Sequence, residues 1–140
     1  MFGTYLDDDV EVLLKDISGL VKPLGTVERE RLIQSGIHYS EMLPLEYEPT
    51  DDYMKLYKLA LDKYARITAD SVGNVAEQIL NEKEDKAVIV SLARAGTPIG
   101  ILIKRYIRLK YNIDLPHYTI SIIRGKGIDN NAVRYILDRH

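Results

Sequence analysis

The chain has 140 residues, of which 46% are hydrophobic, a size and composition that suit one domain with a real core. It contains no cysteine, which excludes disulfide bonds, thiolate metal ligands and a cysteine nucleophile from this chain. No apolar run is long enough to span a membrane, and no signal-peptide pattern is present. The sequence therefore predicts a cytoplasmic protein without membrane association.

The net charge of −2 conceals an asymmetry between the two parts of the chain. Residues 1–85 carry 9 Lys/Arg against 18 Asp/Glu, and residues 86–140 carry 10 against 3. A positive field in the second part would steer a phosphorylated small molecule, a nucleic acid or the acidic part of a second subunit. Charge alone leaves these three partners open.

The acidic part is predicted to be mostly helical. Residues 7–17 combine an acidic first turn with an apolar stripe at helical spacing, and Ser-Gly at 18–19 would end that helix. A second helix is predicted over residues 26–34, and a long helical region begins at residue 51. Residues 37–47 have no regular period and are polar and aromatic, which is typical of a binding loop or of a surface connection.

A strand, a tight loop and a helix follow the acidic part. The β-branched apolar run at residues 87–92 predicts a strand covered on both faces. Gly96 permits a tight turn, Thr97 can cap a helix, and Pro98 fits the first helical turn. A helix N-terminus gathers backbone N–H groups that favour an anion, and Arg94 would add a guanidinium donor. This pattern predicts a phosphate or pyrophosphate site, and the alternative is an ordinary strand-to-helix connection with an exposed arginine.

A second strand is predicted over residues 118–123, a glycine-rich basic loop over 124–127, and a last helix over 129–139. The order β-α-β-α is the start of a doubly wound parallel sheet, so the fold class is α/β. We predict one domain, with a helical part at 1–85 and the β-α-β-α part at 86–140. Two parallel strands do not make a stable sheet by themselves. We therefore expect a third strand, from a longer protein of which this is the N-terminal part or from a partner.

Three stretches resemble a known family in their order along the chain. They are LIQSGIHYSE, VIVSLARAGTPIGILI and ISIIRGKG, and they are similar to segments of type I, orotate-like phosphoribosyltransferases. The HYSEMLP and SLARAGTP stretches also resemble the StiP family, whose members carry such a region at the N-terminus of a longer protein. The resemblance covers most of the chain and implies a phosphoribosyltransferase-like domain.

The resemblance implies three groups of site residues and no identified catalytic residue or metal ligand. The pyrophosphate would be bound by Ala93, Arg94, Ala95, Gly96 and Thr97. A flexible basic loop over the site would consist of Arg124, Gly125, Lys126 and Gly127. The base or acceptor would be bound by Ser35, Gly36, His38, Tyr39, Ser40 and Glu41. Mg²⁺ would be carried by pyrophosphate or phosphoribosyl pyrophosphate, with no protein cage.

The acidic pair and Thr-Gly loop that hold ribose 5-phosphate in this family do not occur in the 140 residues. We therefore expect a domain of nucleotide metabolism that binds pyrophosphate or a phosphoribosyl or nucleotide ligand, and that is inactive as a transferase in this form. The alternative is a non-catalytic, stress-related regulatory module that senses a nucleotide or binds nucleic acid or a partner, including a second copy. The StiP family is also described as a protease, an activity that a chain without cysteine cannot supply.

Overall fold

A computed structural model describes residues 4–17 and 19–140. Residues up to Leu14 together with Lys63–His140 form one compact unit, and Lys15–Asp62 form another. The helices are α1 (Thr26–Gln34), α2 (Asp51–Lys83), α3 (Gly96–Tyr111) and α4 (Asn130–Leu137). The strands are β1 (Glu11–Val12), β2 (Pro23–Leu24), β3 (Leu43–Pro44), β4 (Ile89–Leu92), β5 (His117–Ile120), β6 (Ile122–Ile123) and β7 (Gly127–Ile128).

The larger unit contains a parallel sheet in the order β1-β5-β4. Along β4 and β5 the register pairs Ile89 with His117 and Leu92 with Ile120. On the other side of β5, Glu11 of β1 pairs with Tyr118. The predicted parallel pairing of the two main strands is confirmed, and the fold is a mixed α/β fold.

Helices cover both faces of this sheet. Because successive side chains of a strand point to opposite faces, Thr119 lies on one face of β5 and Tyr118 on the other. The Thr119 hydroxyl contacts Thr97 of α3, whereas Tyr118 belongs to a buried cluster with Ala132 and Ile136 of α4. A second buried cluster joins α2 to α3 through Val72, Ala76, Ala87, Ile103, Ile107 and Leu115. The helices α3 and α4 therefore lie on opposite faces of the sheet.

The smaller unit is held by short elements. β2 and β3 pair in parallel, and the Leu45 N–H donates to the Leu24 carbonyl at 2.9 Å. The bounds of α1 agree with the prediction of a helix over residues 26–34. The long helical region predicted from residue 51 is one continuous helix of 33 residues, α2. Among the described residues, no helix is at once long enough and apolar enough to cross a membrane.

The helix predicted over residues 7–17 is wrong. Residues 7–9 form a turn, and β1 follows as a strand at the edge of the sheet. The reason is tertiary: Val10 is 1% exposed, and the Leu13 N–H donates to the Thr119 carbonyl at 3.0 Å. Residue 18, one of the two residues predicted to end this helix, lies outside the described residues. The part up to residue 85 is thus less helical than predicted, because it also contributes β1, β2 and β3.

The single strand predicted over residues 118–123 is also corrected. β5 ends at Ile120, and β6 begins an antiparallel hairpin with β7. The turn of that hairpin needs two residues with positive φ, which Gly125 (+77°) and Gly127 (+91°) provide at no steric cost. The last helix is confirmed as α4, with the Asp129 carboxylate capping the N–H groups of Asn131 and Ala132.

Candidate functional site

A buried polar chain joins β4 and β5 to the segment that precedes β1. Ser91 Oγ of β4 lies 2.8 Å from His117 Nε2 of β5, and His117 Nδ1 lies 2.8 Å from the backbone carbonyl of Asp9. The three residues are 6%, 3% and 2% exposed, respectively. The register places Ser91 two residues beyond the position opposite His117, so both side chains lie on the α3 face of the sheet.

The contacts show which atoms of this buried polar chain carry the hydrogens. A carbonyl oxygen can only accept, so His117 Nδ1 carries the proton that it donates to Asp9. The Nε2 atom of a neutral imidazole is then an acceptor, and the Ser91 hydroxyl donates to it. Burial lowers the pKa of His117, which favours this neutral form; the nearby Lys104 acts in the same direction and the Asp9 carbonyl opposes it.

A serine that donates to a histidine is the arrangement of an activated nucleophile, but α3 closes this one off. A Cβ added at Gly100 would overlap Ser91 Oγ and His117 Nε2 and lie 2.8 Å from His117 Cε1. The backbone of α3 therefore rests directly on the pair and leaves no space for a substrate. We interpret Ser91 and His117 as a structural connection between β4, β5 and the segment before β1.

Two ion pairs surround this connection. The Asp9 carboxylate, 3% exposed, accepts from Arg105 Nε at 2.8 Å and from its Nη2 at 2.5 Å, a bidentate contact. This hydrogen bonding holds the pKa of Asp9 below its usual value, against the opposing effect of burial. Lys104 has a buried side chain, and its Nζ lies 3.3 Å from Asp114 Oδ1. Part of the basic charge of residues 86–140 is thus used for internal pairs.

The loop predicted to bind pyrophosphate, Ala93–Thr97, connects β4 to α3 at the carboxyl end of the sheet. Arg94 and Ala95 are exposed. Thr97 does not cap α3 as predicted, because α3 already begins at Gly96 and its preceding residue makes no side-chain cap. Instead Thr97 is 3% exposed, and its hydroxyl lies 2.7 Å from that of Thr119. Of the five residues predicted to bind pyrophosphate, Thr97 therefore has its side chain in the core.

The predicted flexible basic loop is the turn of the β6–β7 hairpin, where the Lys126 N–H donates to the Ile123 carbonyl at 2.9 Å. Arg124, Gly125, Lys126 and Gly127 are all exposed. The hairpin follows β5 and the Ala93–Thr97 loop follows β4, so both come after the carboxyl ends of neighbouring parallel strands. That the hairpin turn covers a ligand bound at the Ala93–Thr97 loop stays a prediction.

The segment predicted to bind a base or acceptor lies in the smaller unit, after α1. The Ser35 hydroxyl donates to the Leu32 carbonyl at 2.7 Å, and Gly36 has a φ of +94°, so both serve the end of α1. His38 Nδ1 lies 2.8 Å from Ser40 Oγ, and it accepts from the Ser40 N–H at the start of a short 3-10 turn, Tyr39–Glu41. These are local structural roles, and the assignment of this segment to a ligand site stays a prediction.

A groove of about 1280 Å³ follows β4 in the larger unit. Its lining is largely apolar and includes Ile79, Ile99, Ile103, Ile136 and Leu137, together with the backbone of β4 and the Ala93–Gly96 loop. Among the described residues, no group of three or more His, Cys, Asp or Glu side chains could hold a metal ion. The Mg²⁺ predicted to accompany pyrophosphate remains untested.

Comparison with known proteins decides the family. The family model described as "Tellurite-like stress resistance cysteine protease StiP" matches residues 3–140. The chain belongs to the StiP family. It is 40% identical over 139 residues to the "Cysteine protease StiP" of Acinetobacter baylyi, a match that covers 99% of this chain and 36% of that protein. This StiP chain thus spans about a third of its curated relative, and no solved structure matches it.

These findings confirm the predicted StiP membership and correct the predicted function. The family description names a stress-resistance cysteine protease, and the relative's name gives a cysteine protease. The interpretation as a pyrophosphate-binding transferase domain of nucleotide metabolism is therefore wrong, and so is its alternative, a module that senses nucleotides or binds nucleic acid. The similarity to phosphoribosyltransferases gains no support. The chemistry of the loop does not contradict this result, because a short loop like Ala93–Thr97 before a helix is a common connection and is not specific for any ligand.

The sequence interpretation missed the residues that the fold brings together most closely, Asp9, Ser91, Gly100 and His117. His117 comes directly before the predicted second strand, and Gly100 interrupts the helical pattern of α3. An isolated glycine inside a helix is a signal for close packing, and it was the one clue available.

Proposed function

We propose that this chain is the cysteine-free α/β region of a StiP-type cysteine protease that acts in resistance to tellurite-like stress. The observation that carries the proposal is the identity of 40% to Cysteine protease StiP over nearly the whole chain. At that identity, and with the family model matching residues 3–140, the same fold and the same role in the longer protein are expected.

Within that protease, these residues do not provide the nucleophile. Cysteine proteases attack with a thiolate, and the 140 residues contain no cysteine. The Ser91–His117 pair does not replace it, because the α3 backbone at Gly100 covers both side chains. The thiolate is therefore supplied from outside these residues.

The experiment compares three proteins on an unfolded protein substrate: this 140-residue chain, the Acinetobacter baylyi StiP, and a chimera in which this chain replaces the matching third of that protein. We expect proteolysis by the relative and by the chimera, and its loss after treatment with iodoacetamide, which alkylates thiolates. The 140-residue chain should show no activity. In parallel, the chimera should restore tellurite survival to a strain that lacks the relative.

The Ser91→Ala change in the chimera is the control for the nucleophile. Proteolysis that remains sensitive to iodoacetamide in this variant agrees with a structural Ser91. A folded chimera without proteolysis, beside an active relative, would contradict the proposal. Cleavage by the 140-residue chain would contradict it as well, since that activity would need a nucleophile other than cysteine.

A further inference from the structure

Residues 9–13, which we call the β1 segment, are joined to the sheet by few backbone contacts. The strand β1 has two residues, which pair with β5, and the Leu13 N–H adds one bond to the Thr119 carbonyl at 3.0 Å. By comparison, β4 pairs with β5 over four positions. Strands of globular proteins usually have at least three residues, so the position of β1 depends on the contacts made just before it.

Asp9 makes those contacts through both its backbone and its side chain. Its carbonyl accepts from His117 Nδ1 at 2.8 Å, and its carboxylate holds Arg105 in the bidentate contact described above. Asp9 is 2% exposed, and the next residue, Val10, is 1% exposed. Of the three side chains at this junction, that of His117 is the one whose charge changes near neutral pH.

The junction accommodates His117 in its neutral form. A second ring proton would lie on Nε2 and face the hydrogen of the Ser91 hydroxyl, so Ser91 would have to turn that hydrogen away from its acceptor. The α3 backbone at Gly100 leaves no room on that side for water. A cationic imidazole in the closed junction would therefore be buried without hydration, which is costly.

Charged groups face His117 from two elements. Lys104 and Arg105 belong to α3, the Asp9 carboxylate belongs to the β1 segment, and β4 contributes the uncharged Ser91. Arg105 already neutralises the Asp9 carboxylate, so little of its charge is left to stabilise a cation. Burial lowers the pKa of His117 below its ordinary value of 6.5, and Lys104 acts in the same direction against the effects of Asp9.

We propose that the contact between Asp9 and His117 is an acid-sensitive switch, which releases the β1 segment when His117 takes up a proton, while β4, β5 and α3 stay assembled. Release gives the imidazolium access to water. The β1 side opens first, because two paired residues hold it and four hold β4 to β5. The released form exposes the β5 edge at Tyr118 and Thr119, and it loses the ion pair with Arg105, which opposes release.

The direction of the pH dependence follows from the two pKa values of His117. After release the pKa returns to about 6.5, which is above its value in the closed junction. The closed form binds fewer protons, so its stabilisation is complete above pH 6.5 and is lost as pH falls from there toward the closed-form pKa. Hydrogen bonds from Arg105 hold the pKa of Asp9 below 3.8, so its carboxylate stays ionised over this range.

Amide hydrogen exchange at single residues, between about pH 4.5 and 7.5, tests the switch in the 140-residue chain. Release takes up one proton, so the protection of the Leu13 N–H, corrected for intrinsic exchange, should fall by up to about tenfold per pH unit below 6.5. The Ala93 N–H, bonded to the Ile120 carbonyl beside β4 and β5, should keep its protection. Constant protection of Leu13, or an equal fall at Ala93, would overturn the proposal.

Two variants identify the titrating group. In His117→Asn the amide can still donate to the Asp9 carbonyl from the position of Nδ1, but it gains no proton, so the protection of Leu13 should be lower and independent of pH. Asp9→Asn keeps the carbonyl and removes the ion pair that opposes release. It should lower the protection of Leu13 at every pH and retain the fall below pH 6.5. Loss of that fall in Asp9→Asn would assign the titration to the carboxylate and overturn the proposal.

The other two histidines of the chain, His38 and His140, titrate over the same range and provide the control. His140 Nε2 lies 3.0 Å from the Tyr118 hydroxyl and so reaches β5 from the opposite face. The double variant His38→Gln, His140→Gln should show the same pH dependence at Leu13 as the native chain. Its disappearance in this variant would show that His117 is not the switch. The proposal depends on the fold and not on the protease activity.

Discussion

The two compact units of the chain are stabilised in different ways. In the larger unit, the sheet and the helices α2, α3 and α4 contribute to two apolar clusters, and a buried polar chain runs through Ser91 and His117. In the smaller unit, Met42 is the one residue that is buried among those described in Lys15–Asp62. Large apolar or aromatic side chains of the smaller unit are exposed, for example Val27 (86%) and Tyr47 (72%).

This difference predicts where a substitution changes the free energy of unfolding. In a packed interior, an added or removed atom has neighbours that cannot move away, so its effect on the free energy of unfolding is large. On an exposed element the same change meets water, and its effect is small. Matched substitutions in the two units, and inside and outside the packed region of one unit, can test this contrast directly.

The largest effect is expected for Gly100→Ala. The new Cβ would overlap Ser91 and His117, which are backed by the sheet and cannot move away. We expect the free energy of unfolding to fall by about 3 kcal/mol, at the upper end for overpacking, as measured by urea denaturation. Gly96→Ala, at the start of the same helix, is the control. Its Cβ would lie 3.8 Å from Ser91 Cβ, so stability should be unchanged or rise by up to about 1 kcal/mol. Similar results for both variants would show that α3 does not rest on the Ser–His pair.

An intermediate effect is expected for Ser91→Ala, and Ser35→Ala is its matched substitution in the smaller unit. Loss of the Ser91 hydroxyl leaves His117 Nε2 buried without its donor, which should cost about 1–3 kcal/mol of unfolding free energy. The Ser35 hydroxyl is exposed and bonds one carbonyl at the end of α1, so its loss should cost less than about 0.5 kcal/mol. Thermal denaturation of the two variants measures both losses of stability. Equal losses would contradict the difference between the two units.

The smallest effect is expected at the surface of the larger unit, where Glu77 accepts hydrogen bonds from Lys110, Tyr111 and Tyr106. These bonds, that from Lys110 first, lower the pKa of Glu77 to about 2 from an ordinary value of 4.5. The folded pKa lies below the unfolded one, so the stabilisation is complete above pH 4.5 and is lost as pH falls toward 2. Glu77→Gln should lower the denaturation midpoint slightly at pH 6 and have less effect at pH 3. A difference that does not depend on pH would show that the carboxylate charge contributes nothing.

Several elements were predictable because their determinants are neighbours in sequence. A charged stretch with Pro23 and Gly25 before it and Ser35-Gly36 after it predicted α1 to the residue. An aromatic and apolar face from Tyr53 onward predicted the long helix that begins at Asp51. The β-branched runs predicted β4 and β5, and the crossover through α3, which returns the chain to the same end of the sheet, makes their pairing parallel. Resemblance in the HYSEMLP and SLARAGTP stretches correctly indicated the StiP family.

The chemistry of the site was not predictable in the same way. A small-residue loop with an arginine before a helix has the same sequence pattern whether it binds an anion or only connects two elements. The resemblance to phosphoribosyltransferases favoured pyrophosphate, and the family comparison corrected it. For Thr97, a cap and a buried hydroxyl also have the same local pattern, and the contact with Thr119, 22 positions away, separates them.

The sequence by itself determined the helices, the two main strands, their order and the absence of a thiol. These features depend on periodicity, on caps such as Asp129 and on composition, all of which act within a few residues. Tertiary structure alone decided that residues 11–12 form a strand and that Ser91, His117 and Asp9 make one buried chain. Their partners are 26 and 108 positions apart, and a contact over such a distance exists only after the sheet has assembled. For the same reason, residues 7–17 do not form the helix that their local pattern predicts, because the burial of Val10 favours the strand.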